Sequence, residues 1–322
     1  MISNERDEVI KKKRLANDLG EVDQFFSAYK PRLSEIVIES TYNGYWLMDG
    51  LRELGYGVKL ANPSAMQPYV GLKHSDDESD ALWLNQMHRL GILPEGYIYP
   101  KPQRAVRDLL RRRMLLVHSR TGLINSLKQH YQSWKAMDLG ASQIKKLTEE
   151  QIAEEFKNTS IQYCAQVLHA SIQSLSEQIE RCESWVDGDL KEDTLVERLR
   201  VLPGIGKLLG WMIRLEIGEL ERFPAVENYL SYCGLVESRR ISNEKTKGHG
   251  NAKNRNKYLR WAYGEAAIHA LRHSRIKKYH DRLIKKKGRI KAKAIIASKL
   301  ARISFMLMKN PELVYNENKL FV

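Results

Sequence analysis

The central stretch of the chain, residues 104–185, constrains the fold most, because it contains no proline and two glycines, Gly122 and Gly140. Proline breaks helices and glycine weakens them, so this composition favours long helices. We expect a coiled-coil arm that folds back near Leu139-Gly140. The apolar residues at helical spacing in its first half are Val106, Leu109, Leu110, Val117, Leu123 and Leu127.

Shorter segments of alternating type precede this stretch. Residues 36–39 form a short β-branched run and residues 58–60 a second short apolar run, as in buried strands. Residues 42–54 and 77–90 carry apolar residues at helical spacing. Strand, helix, strand, helix in this order predicts an α/β domain. A further strand, with lysines on an exposed edge, is expected at 9–15.

Two kinds of boundary divide the chain. Pro94, Pro100 and Pro102 mark the end of the α/β part, since prolines close together interrupt regular structure. The acidic segment 186–193 predicts a loop after the helical stretch. We therefore expect three domains: residues 1–100, residues 101–193, and a compact all-α domain at residues 194–322.

Three carboxylates in the first quarter of the chain suggest a metal site. Glu39 ends a predicted strand, and Asp77 and Asp80 lie one helical turn apart at the start of a predicted helix. Phosphoryl-transfer metals need hard oxygen ligands that converge from different elements. Structural roles are the alternative: a strand-end salt bridge for Glu39, a helix cap for Asp77, and a favourable helix-dipole position for Asp80.

Positive charge is concentrated in one segment. The chain carries a net charge of +14, yet residues 239–302 alone hold 21 Lys and Arg against 3 Asp and Glu. A solvated face is the ordinary reason for a run of charge. Over this length and imbalance we favour a surface that binds the phosphates of a polynucleotide.

Two motifs could contact those phosphates. The turn Pro203-Gly204-Ile205-Gly206 before a helix at 207–217 resembles the hairpin of a helix–hairpin–helix motif, whose glycines let the backbone approach a phosphate. Residues 245–257 predict a flexible polar loop, and Lys285 to Arg289 a second contact. A plain turn and a solvated turn are the alternatives. The expected DNA- or RNA-binding residues are Gly204, Gly206, Lys207, Lys245, Lys247, Lys253, Arg255, Lys257 and Arg260.

The cysteines and the hydropathy suggest a cellular setting. Cys164, Cys182 and Cys233 are far apart and odd in number, as expected in a reducing cytoplasm rather than in a disulfide framework. No apolar run is long enough to span a bilayer, and no signal-peptide pattern is visible. We expect a cytoplasmic protein that associates with no membrane.

Five short segments carry a family pattern in order along the chain, at residues 38–42, 61–63, 77–81, 202–206 and 256–260. Together they resemble the DEDD transposases of bacterial insertion sequences, the group whose recombinase is guided by a bridge RNA. The resemblance implies an RNase H-type, RuvC-like N-terminal domain, a coiled-coil arm, and a C-terminal transposase domain with a helix–hairpin–helix. It also implies a homo-oligomer, a dimer or tetramer, acting on DNA with a guide RNA.

The resemblance further implies catalytic roles. Glu39, Asp77 and Asp80 would be three of four carboxylates that bind Mg²⁺ or Mn²⁺. The family's first aspartate lies on a first strand that this chain lacks as it begins, so either the start was assigned too late or this is a decayed copy. Ala252 stands where the family has a nucleophilic Ser or Thr, and Ser242 is the nearest upstream hydroxyl.

Three functions therefore remain open at the level of sequence. The first is a DNA transposase or site-specific recombinase, impaired in this form by the two departures. The second is a catalytically dead remnant that still binds nucleic acid. The third is a structure-specific nuclease of the RuvC type, which needs the carboxylates but no serine.

Overall fold

The computed structural model describes residues 1–41, 43–66, 77–236, 239–242, 245–249 and 255–321, with the backbone alone at 239–242 and 245–249. Its described part is mostly helical, with three two-stranded sheets. The chain divides into two compact units. The first is Met1–Lys101 with Arg239–Asn254, and the second is Pro102–Ser238 with Arg255–Val322. The division into three domains stays a prediction.

The N-terminal segment of the first unit, Met1–Lys101, contains two of the small sheets. β1 (Ile2–Ser3) pairs antiparallel with β2 (Val9–Lys11), and β3 (Ile36–Glu39) pairs parallel with β4 (Val58–Ala61). The strands predicted at 36–39 and 58–60 are confirmed. The strand predicted at 9–15 ends at Lys11, and β1 was not predicted.

Three helices complete this part of the chain, and the helices predicted at 42–54 and 77–90 are confirmed. α1 (Leu19–Ser27) begins where the Asp18 side chain accepts a hydrogen bond from the backbone N–H of Glu21 at 2.9 Å. α2 (Tyr45–Glu53) connects β3 to β4, and α3 (Asp77–Arg89) packs against β3. Strand, helix, parallel strand is the α/β order expected from the sequence.

Two long helices dominate the second unit. α4 (Lys101–Lys135) and α7 (Thr159–Leu190) run antiparallel, and α5 (Ala141–Lys146) and α6 (Glu149–Glu155) lie between them in the chain. Three contacts show the antiparallel order, because the residue number falls on α7 as it rises on α4. The pairs are Arg113 with Glu183, Arg120 with Ser176, and His130 with the carbonyl of Ile161.

The long helices and the reversal near Gly140 are thus confirmed, but the loop predicted at 186–193 is wrong in its first half. α7 continues to Leu190. The physical reason is burial: Val186 and Leu190 pack in one core cluster with Leu110 and Met114 of α4, so the helix is held in place despite its acidic residues.

The rest of the chain is a bundle around one core. Its elements are α8 (Thr194–Arg200), α9 (Lys207–Ile217), a 3₁₀ turn (Leu220–Arg222), α10 (Val226–Tyr232), α11 (Lys257–Ala270), α12 (Ser274–Lys287), α13 (Arg289–Lys309) and α14 (Glu317–Leu320). α9 is almost wholly buried and packs against α8 and α11. α13 packs against α8, α10, α11 and α12.

A strand pair interrupts this helical part of the sequence. β5 (Arg239–Ser242) pairs antiparallel with β6 (Lys245–His249), so the flexible loop predicted at 245–257 is wrong over its first five residues. The backbone of 245–249 finds hydrogen-bonding partners in β5, which a solvated loop would take from water. For the described helices, none combines the length and the apolar character needed to cross a membrane.

Candidate functional site

Glu39 and the start of α3 lie on the same side of the β3–β4 sheet. Val37 of β3 packs with Trp83, Leu84 and Met87 of α3. Because side chains alternate along a strand, Glu39 projects from the same face as Val37. Glu39 is half-buried at the carboxyl end of the strand.

Asp77 and Asp80 extend the apolar stripe of α3. The spacing 77, 80, 84, 87 keeps these residues on one side of a helix, and Leu84 and Met87 are the members that pack against the sheet. Asp80 is half-buried and Asp77 is exposed. Asp77 is the first residue of α3 within the described part of the chain. The structure therefore places all three predicted carboxylates on one face of the unit.

These side chains do not form a finished metal site. Within the part of the chain that the structure describes, no group of three or more His, Cys, Asp or Glu side chains could hold a metal ion. Glu78, between the two aspartates, pairs with Lys12 instead. The shared face is what the geometry offers, and the donors on it are the hard oxygens that divalent cations prefer.

Asp7 does not supply a fourth carboxylate. It lies in the turn between β1 and β2 with a φ of 64°, and both its oxygens accept hydrogen bonds from Arg89, at 2.7 and 2.6 Å. The hydrogen bond from Arg89 lowers the pKa of the Asp7 carboxyl. Arg89 ends α3, so Asp7 is held roughly 18 Å along the helix from Asp77, at 1.5 Å a residue.

The predicted hairpin connects α8 to α9, and its two glycines differ in environment. Leu202 and Ile205 are buried and hold the turn in the core. Gly204 has a φ of 84°, and a Cβ built on it would lie 2.1 Å from the carbonyl oxygen of Ala266 in α11. Gly206 precedes α9 without a side-chain cap, and a Cβ there would meet nothing within 4 Å. A phosphate could therefore approach the backbone at Gly206.

Lys207, the first residue of α9, already has an acidic partner. Its ammonium pairs with Asp187 of α7 and lies 5.3 Å from the centre of the Trp211 ring. Both members of the pair are partly exposed, at 48% and 39% of their side chains. A phosphate that binds Lys207 must therefore compete with Asp187.

The other predicted cations are dispersed. Arg255 is exposed beside Gly234, and Lys257 and Arg260 are exposed at the start of α11. Lys245 and Lys247 belong to β6, whose backbone alone is described. Lys253 and Ala252 lie outside the described residues.

A buried polar network was missed by the sequence analysis. The fully buried Glu216 of α9 accepts hydrogen bonds from Arg111 of α4 at 2.6 and 2.7 Å, and from the Asn256 amide at 2.7 Å. The Asn256 side chain also caps α11, accepting from the N–H groups of Tyr258 and Leu259. An Asn just before a helix is a recognisable cap signal. No local pattern indicates that Arg111 pairs with a residue so distant in sequence.

A groove beside the hairpin was also missed. It is an open depression of about 640 Å³ between the turn at residues 200–209 and one side of α11. Trp261, Glu265 and His269 line it, spaced four residues apart. This spacing in a predicted helix is the signal that could have identified the groove wall.

Both halves of the chain match transposase models. Residues 1–134 match a DEDD-type IS110 transposase model, and residues 196–281 match the model of the transposase IS116/IS110/IS902 family. The chain belongs to this transposase family. The first match contains the three carboxylates, and the second contains the hairpin, the groove and the basic segment up to residue 281.

Curated relatives agree with this assignment. The chain is 24% identical over 247 residues to a probable family 20 transposase of Pseudomonas aeruginosa, covering 75% of this chain and 72% of that protein. It is 25% identical over 272 residues to the transposase for insertion sequence element IS1111A of Coxiella burnetii, covering 80% and 73%. The transposase for IS1328 of Yersinia enterocolitica is 24% identical over 243 residues, covering 74% and 71%.

Family membership decides the broad function. The protein is a mobile-element DNA transposase, and a DEDD transposase family implies dependence on divalent metal in general terms. DNA is accordingly its partner.

Proposed function

We propose that this transposase cleaves and exchanges DNA strands with a divalent cation, Mg²⁺ or Mn²⁺, held by Glu39, Asp77 and Asp80. The observation that carries the proposal is the common face of β3 and α3, which lies within the part of the chain that matches the DEDD-type model. An RNase H-type arrangement of the first unit is part of the proposal. The β3–α2–β4 unit with parallel strands supports it.

The carboxylates have a direct role in this proposal. Glu39 and Asp80, half-buried, and Asp77, exposed, would present their oxygens where the strand and the helix meet. A bound divalent cation polarises a scissile phosphate and activates the attacking oxygen. The net negative charge of the three side chains favours the cation and keeps the DNA backbone away until the cation is present.

The hairpin and the basic segment would hold the DNA. We infer that α8, the turn and α9 are a helix–hairpin–helix that contacts phosphates at Gly206 and Lys207, and that Arg255, Lys257 and Arg260 add contacts at the start of α11. Such contacts position the duplex without reading its sequence. The choice of site would then fall to a guide RNA of the bridge type, acting with a homo-oligomer of the transposase. The ordered family pattern supports both partners.

The metal assignment can be tested with neighbouring acids on one helix. We expect Asp80→Asn to weaken Mn²⁺ binding by at least about tenfold, because a metal ligand loses its charge. Glu78→Gln, which alters an exposed acid on the same helical turn, should leave Mn²⁺ binding unchanged. The measurement is the rise in melting temperature with Mn²⁺ concentration, together with cleavage of supercoiled donor DNA in the presence of RNA transcribed from the flanking element.

Equal responses of the two variants would remove the metal-site assignment. Strand cleavage that persists in Asp80→Asn and in Glu39→Gln would show that catalysis does not need these carboxylates.

A second candidate function is a nucleic-acid-binding protein without catalysis. Ala252 favours it, because alanine cannot act as the nucleophile that the family's hydroxyl residue provides at this position. This candidate expects salt-sensitive DNA binding with no strand cleavage under any metal condition. Cleavage of branched DNA without strand exchange would instead favour the structure-specific nuclease.

Lys207 and Asp187 provide a matched test of the hairpin. We expect Lys207→Ala to weaken duplex binding and to lower the slope of log affinity against log salt by about one, since one phosphate contact is lost. Asp187→Asn should tighten binding about two- to fivefold, because a partly exposed ion pair competes only modestly. Fluorescence anisotropy with a labelled duplex over a range of KCl concentrations measures both. Unchanged affinity in both variants would exclude Lys207 from the interface.

A further inference from the structure

The groove beside the hairpin has a mixed lining, of which the proposed phosphate contacts use only Gly206 and Lys207. One wall is the turn and the start of α9, and the other is α11. The two walls are fixed to each other, since Gly204 approaches the backbone of Ala266 and Ala270 so closely that a Cβ would not fit. The groove is therefore a permanent feature of this unit rather than a gap between mobile parts.

The α11 wall combines an aromatic ring with a carboxylate. Trp261 is half-buried and packs against the core of the second unit, which fixes its ring. Glu265, one turn further along, is also half-buried. His269 follows on the same side of the helix, and Arg272, just after the end of α11, also lines the groove.

Three cations border the groove, and one of them is paired with an acid. Arg200, Lys207 and Arg272 are exposed on its margin. Arg200 pairs with Glu197 at 2.6 Å, so this cation is partly neutralised. An anionic backbone can follow the margin while an uncharged aromatic group enters between the walls.

We propose that this groove accepts one unpaired base of the DNA strand whose phosphates contact the hairpin. Trp261 stacks on the base, and the Glu265 carboxylate accepts a hydrogen bond from an exocyclic amino group. A volume of about 640 Å³ lies within the usual range for small-ligand sites and admits a nucleotide with its sugar. Adenine and cytosine carry an amino group that thymine lacks, so the groove discriminates against thymine.

This inference rests on the proposed DNA binding at the hairpin and extends it. A protein that holds an unstacked base stabilises the opened state of the duplex. The groove would thus favour distorted or partly melted DNA over intact duplex.

The test uses the full chain and two labelled duplexes, one fully paired and one with a single unpaired adenine. A third duplex, with an unpaired thymine in place of the adenine, tests the role of Glu265. The wild type is expected to bind the bulged duplex at least about fivefold more tightly. Trp261→Leu, which keeps an apolar side chain against the core, should abolish that preference and leave affinity for the paired duplex within about twofold. Glu265→Gln should retain the bulge preference but bind bulged adenine and bulged thymine equally.

Two controls separate the possible results. Lys207→Ala should weaken both duplexes by the same factor and leave the bulge preference intact. In the wild-type complex, 2-aminopurine at the bulge should become shielded from acrylamide quenching, which needs no substitution in the protein. Equal wild-type affinity for the two duplexes, or an aminopurine that stays accessible, would overturn the groove assignment and leave the proposed function standing. Loss of all salt-sensitive DNA binding would overturn the proposed function itself.

Discussion

Glu216→Ala is expected to lower the free energy of unfolding by about 3–5 kcal/mol, because removing one member of a buried ion pair leaves the other without compensation. Glu216 is fully buried, and Arg111 is about a third exposed. Burial lowers the pKa of Arg111, but the hydrogen bonds and the charge of Glu216 outweigh that effect, so this pKa stands above its usual value. An arginine stays charged in a protein even without an acidic partner, so Arg111 cannot adapt to the loss of Glu216 by deprotonation.

The effect should extend to the start of α11. Asn256 donates to the same carboxylate while its side-chain oxygen caps α11, and its backbone N–H donates to the Tyr232 carbonyl at 2.7 Å. Loss of Glu216 thus removes one of the hydrogen bonds that hold Asn256, the residue just before α11, against the helical core. We expect hydrogen exchange at residues 257–260 to increase in the variant.

Urea unfolding of matched variants checks the prediction. Glu227→Ala breaks the exposed pair with Arg302 and should lower the free energy of unfolding by less than about 1 kcal/mol. The apolar double variant Arg111→Met with Glu216→Leu should regain at least half of the stability lost in Glu216→Ala, since no buried charge remains. A loss in Glu216→Ala no larger than in Glu227→Ala would contradict the argument.

The sequence predicts those elements whose cause is local. α4 and α7 follow from a long stretch without proline, and β3 and β4 follow from short β-branched or apolar runs. It fails at Val186–Leu190, where a helix persists through acidic residues because Val186 and Leu190 are buried against α4. It also fails at β6, whose polar sequence becomes a strand only because β5 pairs with it.

The candidate site divides in the same way. Helical spacing is enough to expect Asp77 and Asp80 on one side of a helix, since this periodicity is a local property. That Glu39 lies on the same side of the sheet depends on the packing of α3 against β3. The pairing of Arg111 with Glu216 joins residues 105 apart, and the groove needs α11 to lie against the hairpin. Both depend on tertiary packing, which no periodicity within one segment encodes.

Gly204→Ala should lower the free energy of unfolding by more than about 3 kcal/mol, through two independent effects. The φ of 84° lies in the left-handed region, which costs an L-residue with a side chain roughly 1–2 kcal/mol. The new methyl group would also lie 2.1 Å from the carbonyl oxygen of Ala266 and 2.7 Å from the backbone nitrogen of Ala270. These are main-chain atoms of a helix in the core, so neither can move aside without separating the hairpin from α11.

Gly206→Ala is the matched control, two residues away in the same turn. Its φ of −85° suits alanine, and no atom lies within 4 Å of the added Cβ, so its free energy of unfolding should change by less than about 1 kcal/mol. Its DNA affinity should still fall, because the methyl group occupies the space through which a phosphate would approach. Urea unfolding and duplex anisotropy on both variants therefore separate the packing role of one glycine from the binding role of the other. An equal free energy of unfolding in the two variants would contradict the packing argument for Gly204. An unchanged affinity of Gly206→Ala for duplex DNA would show that no DNA phosphate contacts the backbone at Gly206.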